Sequence, residues 1–126
     1  MKKYKILIFL FLIFTTTSLF AKGVSIKAYF TRAFKDVAYQ RKMVNRVIKN
    51  FKYLGKLPPV GKKCVYIVRV KRDGSLLVNS RWRSSGSKKF DEACKKSIIR
   101  STPFPKLPET FFARYLEVHF HFEVIK

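Results

Sequence analysis

The residues of this chain with the widest chemical reach are two cysteines, Cys64 and Cys94, and two histidines, His119 and His121, which alternate with Glu117 and Glu123. Acid-base catalysis needs a histidine or carboxylate pair positioned in a cleft. The 126 residues hold only seven carboxylates and two histidines. No serine or cysteine has an evident base partner in the sequence, and there is no glycine-rich phosphate loop. His119 and His121 project from one face of a strand, where a surface metal is geometrically feasible. They read more simply as exposed polar residues. Two isolated cysteines without C-x-x-C spacing do not make a zinc site. The chain is therefore read as a binding protein, not an enzyme, with no cofactor and no metal.

What the cysteines do depends on where the protein works. Lys2, Lys3 and Lys5 precede an uncharged stretch from Ile6 to Ala21, rich in apolar residues and ending in hydroxyl-bearing and small residues. That is the layout of a signal peptide, residues 1–21, with a short inner-membrane anchor as the alternative. Either way the remainder is expected to face the periplasm. Disulfides persist in such a compartment, and two cysteines allow one intrachain pairing, so a Cys64–Cys94 bond is expected. Closing that loop of roughly 30 residues would stabilise the fold by about 3 to 4 kcal/mol on the chain-entropy model.

Around these residues the hydropathy pattern places the elements. Ile26, Tyr29, Phe30, Ala33, Phe34 and Val37, then Met43, Val44, Val47, Ile48 and Phe51, recur at helical spacing, which predicts one or two amphipathic helices from Ile26 to about Leu54 with a break near Asp36. Gly55, Pro58, Pro59 and Gly61 end that run. Residues 64–72 and 75–83 predict a hairpin about Asp73-Gly74, with Cys64, Tyr66, Val68 and Val70, and Leu76, Val78 and Trp82, turned inward. A second helix follows the loop Ser84-Ser85-Gly86-Ser87, with Phe90, Ala93, Cys94, Ser97 and Ile98 inward and Asp91 in its first turn. Pro103, Phe104, Pro105 and Pro108 stop it. The segment from Tyr115 to Val124 alternates most cleanly, with Leu116, Val118, Phe120, Phe122 and Val124 set against polar neighbours. These elements predict a two-layer α+β domain: a three-stranded antiparallel sheet packed on one face by helices, with a strand-to-helix disulfide.

Charge opens a separate possibility. Without residues 1–21 the formal net charge falls from +21 to +18, carried on 105 residues. Such a field favours anionic lipid, lipopolysaccharide or nucleic acid. Arg69, Lys71, Arg72, Arg81 and Arg83, with Lys88 and Lys89, form the candidate anionic contact. Nucleic acid is the weakest of these partners, because alternation turns Tyr66 and Trp82 away from any stacking surface.

In its ordered motifs the chain resembles the C-terminal domain shared by TolA and TonB, and it is more similar to TolA. The resemblance runs through the Tyr39, Met43, Val47, Phe51 stripe, Gly61-Lys62-Lys63-Cys64, Asp73-Gly74, Ser84-Ser85-Gly86 with Phe90-Asp91, Cys94, and Pro103-Phe104-Pro105 with Leu107-Pro108 before the final strand. It implies a TolA/TonB-like domain over residues 39–126, preceded by a helical extension at 22–38. It also implies a periplasmic protein-interaction module that binds a segment of a Tol/Ton-type, outer-membrane or secretion-system protein by strand addition at a sheet edge. By similarity the edge is the final strand, Leu116, Glu117, Val118, His119, Phe120, His121 and Phe122. Such an edge also admits a second copy of the chain. The sequence shows no long spacer before the domain, and its apolar stretch carries no histidine, so an adaptor is expected rather than a motor-driven transducer.

Overall fold

A computed structural model describes residues 23–125, so the expected signal peptide lies outside the described residues. Strand β1 (Val24–Phe30) leads into helix α1 (Val37–Asn50), the hairpin strands β2 (Lys63–Lys71) and β3 (Leu76–Arg83), helix α2 (Lys88–Arg100) and strand β4 (Tyr115–Val124). The four strands form one antiparallel sheet in the order β1-β4-β2-β3.

The expected three-stranded sheet is thus corrected to four strands, and the expected helix at the start of the domain is a strand. The segment Val24–Phe30 satisfies both periods: Ile26, Tyr29 and Phe30 suit a helix, whereas Val24, Ile26, Ala28 and Phe30 alternate. Tertiary pairing decides between them. Ile26 lies opposite Phe122 and Ala28 opposite Phe120, so β1 extends the apolar face of β4. Helix α1 begins only after Asp36, whose carboxylate accepts a hydrogen bond from the Tyr39 N–H at 2.9 Å. Ser87 caps α2 in the same way through the Phe90 N–H.

One face of the sheet makes the core with the helices. Cys64, Tyr66, Val68 and Val70 of β2 and Leu116, Val118, Phe120, Phe122 and Val124 of β4 are buried there with Met43, Val47, Phe90 and Ile98. The proline-rich segment after α2 locks the hairpin. The Phe104 N–H donates to the Gly74 carbonyl at 2.8 Å and the Leu107 N–H to the Arg72 carbonyl at 3.0 Å. Gly74 has φ +92°, and a Cβ there would lie 1.8 Å from the Phe104 carbonyl oxygen, so only glycine fits. The Tyr39 hydroxyl donates to the Pro105 carbonyl at 2.7 Å, tying the same segment to α1.

Cys64 and Cys94 do meet between β2 and α2, as the alternation implies. Their sulfurs stand 4.0 Å apart and both remain thiols, so the expected disulfide is not formed. A bond requires about 2.05 Å, roughly half that separation. Both side chains are fully buried, and burial, with Cys64 alongside, raises the pKa of the Cys94 thiol and keeps it neutral.

Candidate docking site

The final strand is not an edge. β4 pairs with β1 along one side and with β2 along the other, so its backbone donors and acceptors are engaged by two ladders. Of the residues expected to meet a partner, Leu116, Val118, Phe120 and Phe122 are wholly buried in the core, and Glu117, His119 and His121 lie on the open face. Full burial of every second side chain against the helices, with its neighbours on the open face, is what produced the clean alternation, and it does not distinguish an interior strand from an edge. On the open face His119 Nε2 meets Glu117 Oε2 at 2.9 Å, and Arg69 Nε donates to Glu117 Oε1 at 3.2 Å while lying over the Tyr115 ring. His119 and Arg69 hold the Glu117 carboxyl below its ordinary pKa. His121 packs edge-on against Tyr29, and burial together with Lys63 and His119 lowers its pKa.

Among the described residues the free edges belong to β1 and β3, and they differ. Six of the seven β1 residues are buried or half-buried, whereas six of the eight β3 residues are exposed. The helices pack mainly over β1 and β2. Two irregularities shape β3: where β2 advances by one residue from Val65 to Tyr66, β3 advances by two, from Arg83 to Arg81. The same happens between Arg69/Val78 and Val70/Leu76. The extra residues are Trp82 and Leu77. Bulges of this kind re-aim a side chain, and Trp82 is 70% and Leu77 54% exposed. Alternation placed Trp82 and Val78 inward. The bulges reverse that, carrying Val78 to the open face opposite Arg69 and Asn79 and Arg81 to the helix side opposite Val68 and Tyr66.

Between the bulges, the Asn79 side chain has its amide oxygen and nitrogen enclosed with no hydrogen-bond partner among the described residues. Buried polar groups are almost always satisfied, and this amide is the exception on β3 among the described residues.

The cations expected to form one anionic contact are dispersed. Arg72 is spent on structure: its guanidinium donates to the carbonyls of Pro108, Phe111 and Ala113. Arg81 pairs with Asp91 at 3.4 Å, on the helix side of the sheet, and Arg69 pairs with Glu117 on the open side. Lys71 and Arg83 lie at opposite ends of the open face, and Lys88 and Lys89 begin α2. Asp91 itself is buried. Burial pushes its pKa up, but the hydrogen bonds from Ser84 and from the Ser85 hydroxyl and N–H outweigh this and bring it below the ordinary value. It thereby pins the loop between β3 and α2.

The family model described as TonB C terminal matches residues 37–122. The chain belongs to the TonB C-terminal family. Its membership makes this a TonB-like protein-interaction module of envelope transport, with partners among envelope proteins and a periplasmic place of action. No curated protein and no solved structure matches it. Among the described residues no helix is long and apolar enough to cross a membrane.

The TonB C-terminal match begins at residue 37, after β1, so the fourth strand comes from outside the matched region. Sequence reasoning missed β3 as the exposed edge for a related reason. Its one available signal was composition: Asn79, Ser80, Arg81 and Arg83 make it the most polar of the strands.

Proposed function

We propose that this TonB C-terminal domain acts as a TolA-like envelope adaptor that captures an extended segment of a periplasmic or outer-membrane protein as an added strand on the free edge of β3. The observation that carries the reading is the combination on one strand of an unpaired edge, exposure and outward-turned Leu77 and Trp82. Unpaired edge groups bind an extended peptide through the main chain, and side chains beside them supply selectivity. The stretch between the bulges is short, Val78 to Arg81. Main-chain pairing there covers few residues, so the apolar anchors at either end carry much of the affinity. The reading needs no catalytic step, and we regard the protein as a binder and not an enzyme.

A photoreactive phenylalanine at Ser80 tests the site, with the same group at Tyr29 reporting the β1 edge. The expected result is an adduct from position 80 with a discrete envelope protein, retained at high salt because main-chain pairing is little screened. Adducts formed only from position 29, or only with a second copy of the chain, would contradict the reading.

A further inference from the structure

The helix layer carries a second surface, remote from the β3 edge and independent of the reading above. Leu54 stands at the tip of the turn after α1 with its whole side chain in water, 102% exposed. The turn holds it there. The Tyr53 ring packs edge-on against buried Phe90 at 5.5 Å, and the Tyr53 hydroxyl donates to the Lys56 carbonyl at 2.7 Å. Beside the turn runs a groove of about 430 Å³, lined by Lys52, Tyr53, Leu54 and Gly55 on one wall and by Lys89, Glu92, Ala93, Lys96 and Arg100 of α2 on the other. Lys52, Lys89, Lys96 and Arg100 face a single carboxylate, and none of the four is in an ion pair among the described residues. Lys56, two residues after Leu54, adds a further exposed cation.

We infer that the turn at residues 52–56 and the outer stripe of α2 form a docking surface for a bilayer rich in anionic phospholipid, with Leu54 as the apolar wedge and the surrounding lysines and Arg100 as headgroup contacts. An apolar side chain flanked by cations and an interfacial tyrosine is the pattern that binds at the headgroup boundary. Leu54 projects outward, in a form that a flat interface receives, and cations on both walls of the groove complement an anionic surface. The chain also enters the domain at this end: Val24 opens β1 opposite Val124, and Phe51, at the end of α1, packs on Phe122.

The test uses the full chain with Trp82→Phe, so that Leu54→Trp is the single tryptophan. Vesicles of about 30% phosphatidylglycerol in phosphatidylcholine should shift its emission to shorter wavelength and expose it to quenching by brominated lipid. Phe112→Trp in the same background, at the other end of the sheet, should stay in water. Each of Lys89→Gln and Lys96→Gln should raise the lipid needed for half-maximal shift about fivefold. Lys71→Gln with Arg83→Gln removes two cations where each of those variants removes one, and it should still leave the value nearly unchanged. Emission at position 54 that ignores the vesicles overturns the inference, as does equal sensitivity to the Lys71/Arg83 pair, which would mean net charge alone. A shift caused by a soluble acidic peptide of alternating Glu and Leu, but not by vesicles, would assign the groove to a protein partner and overturn the lipid.

Discussion

Strands β3 and β4 sit two places apart in the same sheet and lead opposite lives. β4 is zipped on both sides, and every second residue of it is fully buried. β3 is zipped on one side, bulged twice, and exposed at most positions. Perfect alternation reports one covered and one open face, whereas bulges break the alternation of β3 by spending residues on re-aiming side chains outward.

Truncating the core aromatic of β4 should do the greatest damage. Phe120 of β4 is fully buried and stacks on Phe104. Phe120→Ala should cost about 3 to 5 kcal/mol in denaturant unfolding. Gly74→Ala attacks the turn that joins β2 to β3, where the residue is left-handed and pressed against the Phe104 carbonyl. At least about 2 kcal/mol should be lost, with the hairpin and the Pro103–Pro108 segment loosening together.

Asp91→Asn probes the polar side of the comparison, the loop by which β3 hands over to α2. At pH 7 it should cost about 1 to 3 kcal/mol, because a buried acceptor of four hydrogen bonds, from Arg81, Ser84 and the Ser85 hydroxyl and N–H, is impaired. The Asp91 pKa is depressed in the fold below its ordinary 3.8. Its contribution is therefore fully present above about pH 4 and is lost as pH falls through the depressed value, so the gap between wild type and variant should narrow in acid. The smallest effect belongs to Trp82→Ala, which should leave stability within about 0.5 kcal/mol of wild type while weakening capture of the envelope partner. Unfolding curves and adduct yields measured on the same preparations check the pair.

Much of this architecture was legible. The break near Asp36, the loop at 84–87 before the second helix, the Asp73-Gly74 turn, the strand positions at 64–72 and 115–124 and the approach of Cys94 to Cys64 follow from local chemistry that the structure keeps. What was not legible is tertiary choice. The segment Val24–Phe30 fits a helix and a strand equally, and only the free side of β4 selects the strand. Bulges at Trp82 and Leu77 leave no periodic trace, so residues assigned inward point out. Arg72 reads as a surface cation until the carbonyls of Pro108, Phe111 and Ala113 are seen to converge on it. The thiol pair shows the limit of counting: two cysteines permit one pairing, but proximity at 4.0 Å is not a bond.

Amide hydrogen exchange, measured on the domain alone and on its cross-linked partner complex, tests the central claim most directly. The account predicts that the amides of Leu116–Val124 exchange at the rate of global unfolding in both states. The outward amides of β3 should exchange fast alone and slow markedly in the complex. Fast exchange throughout β4, or protection that appears on β1 while β3 is unchanged, would contradict it.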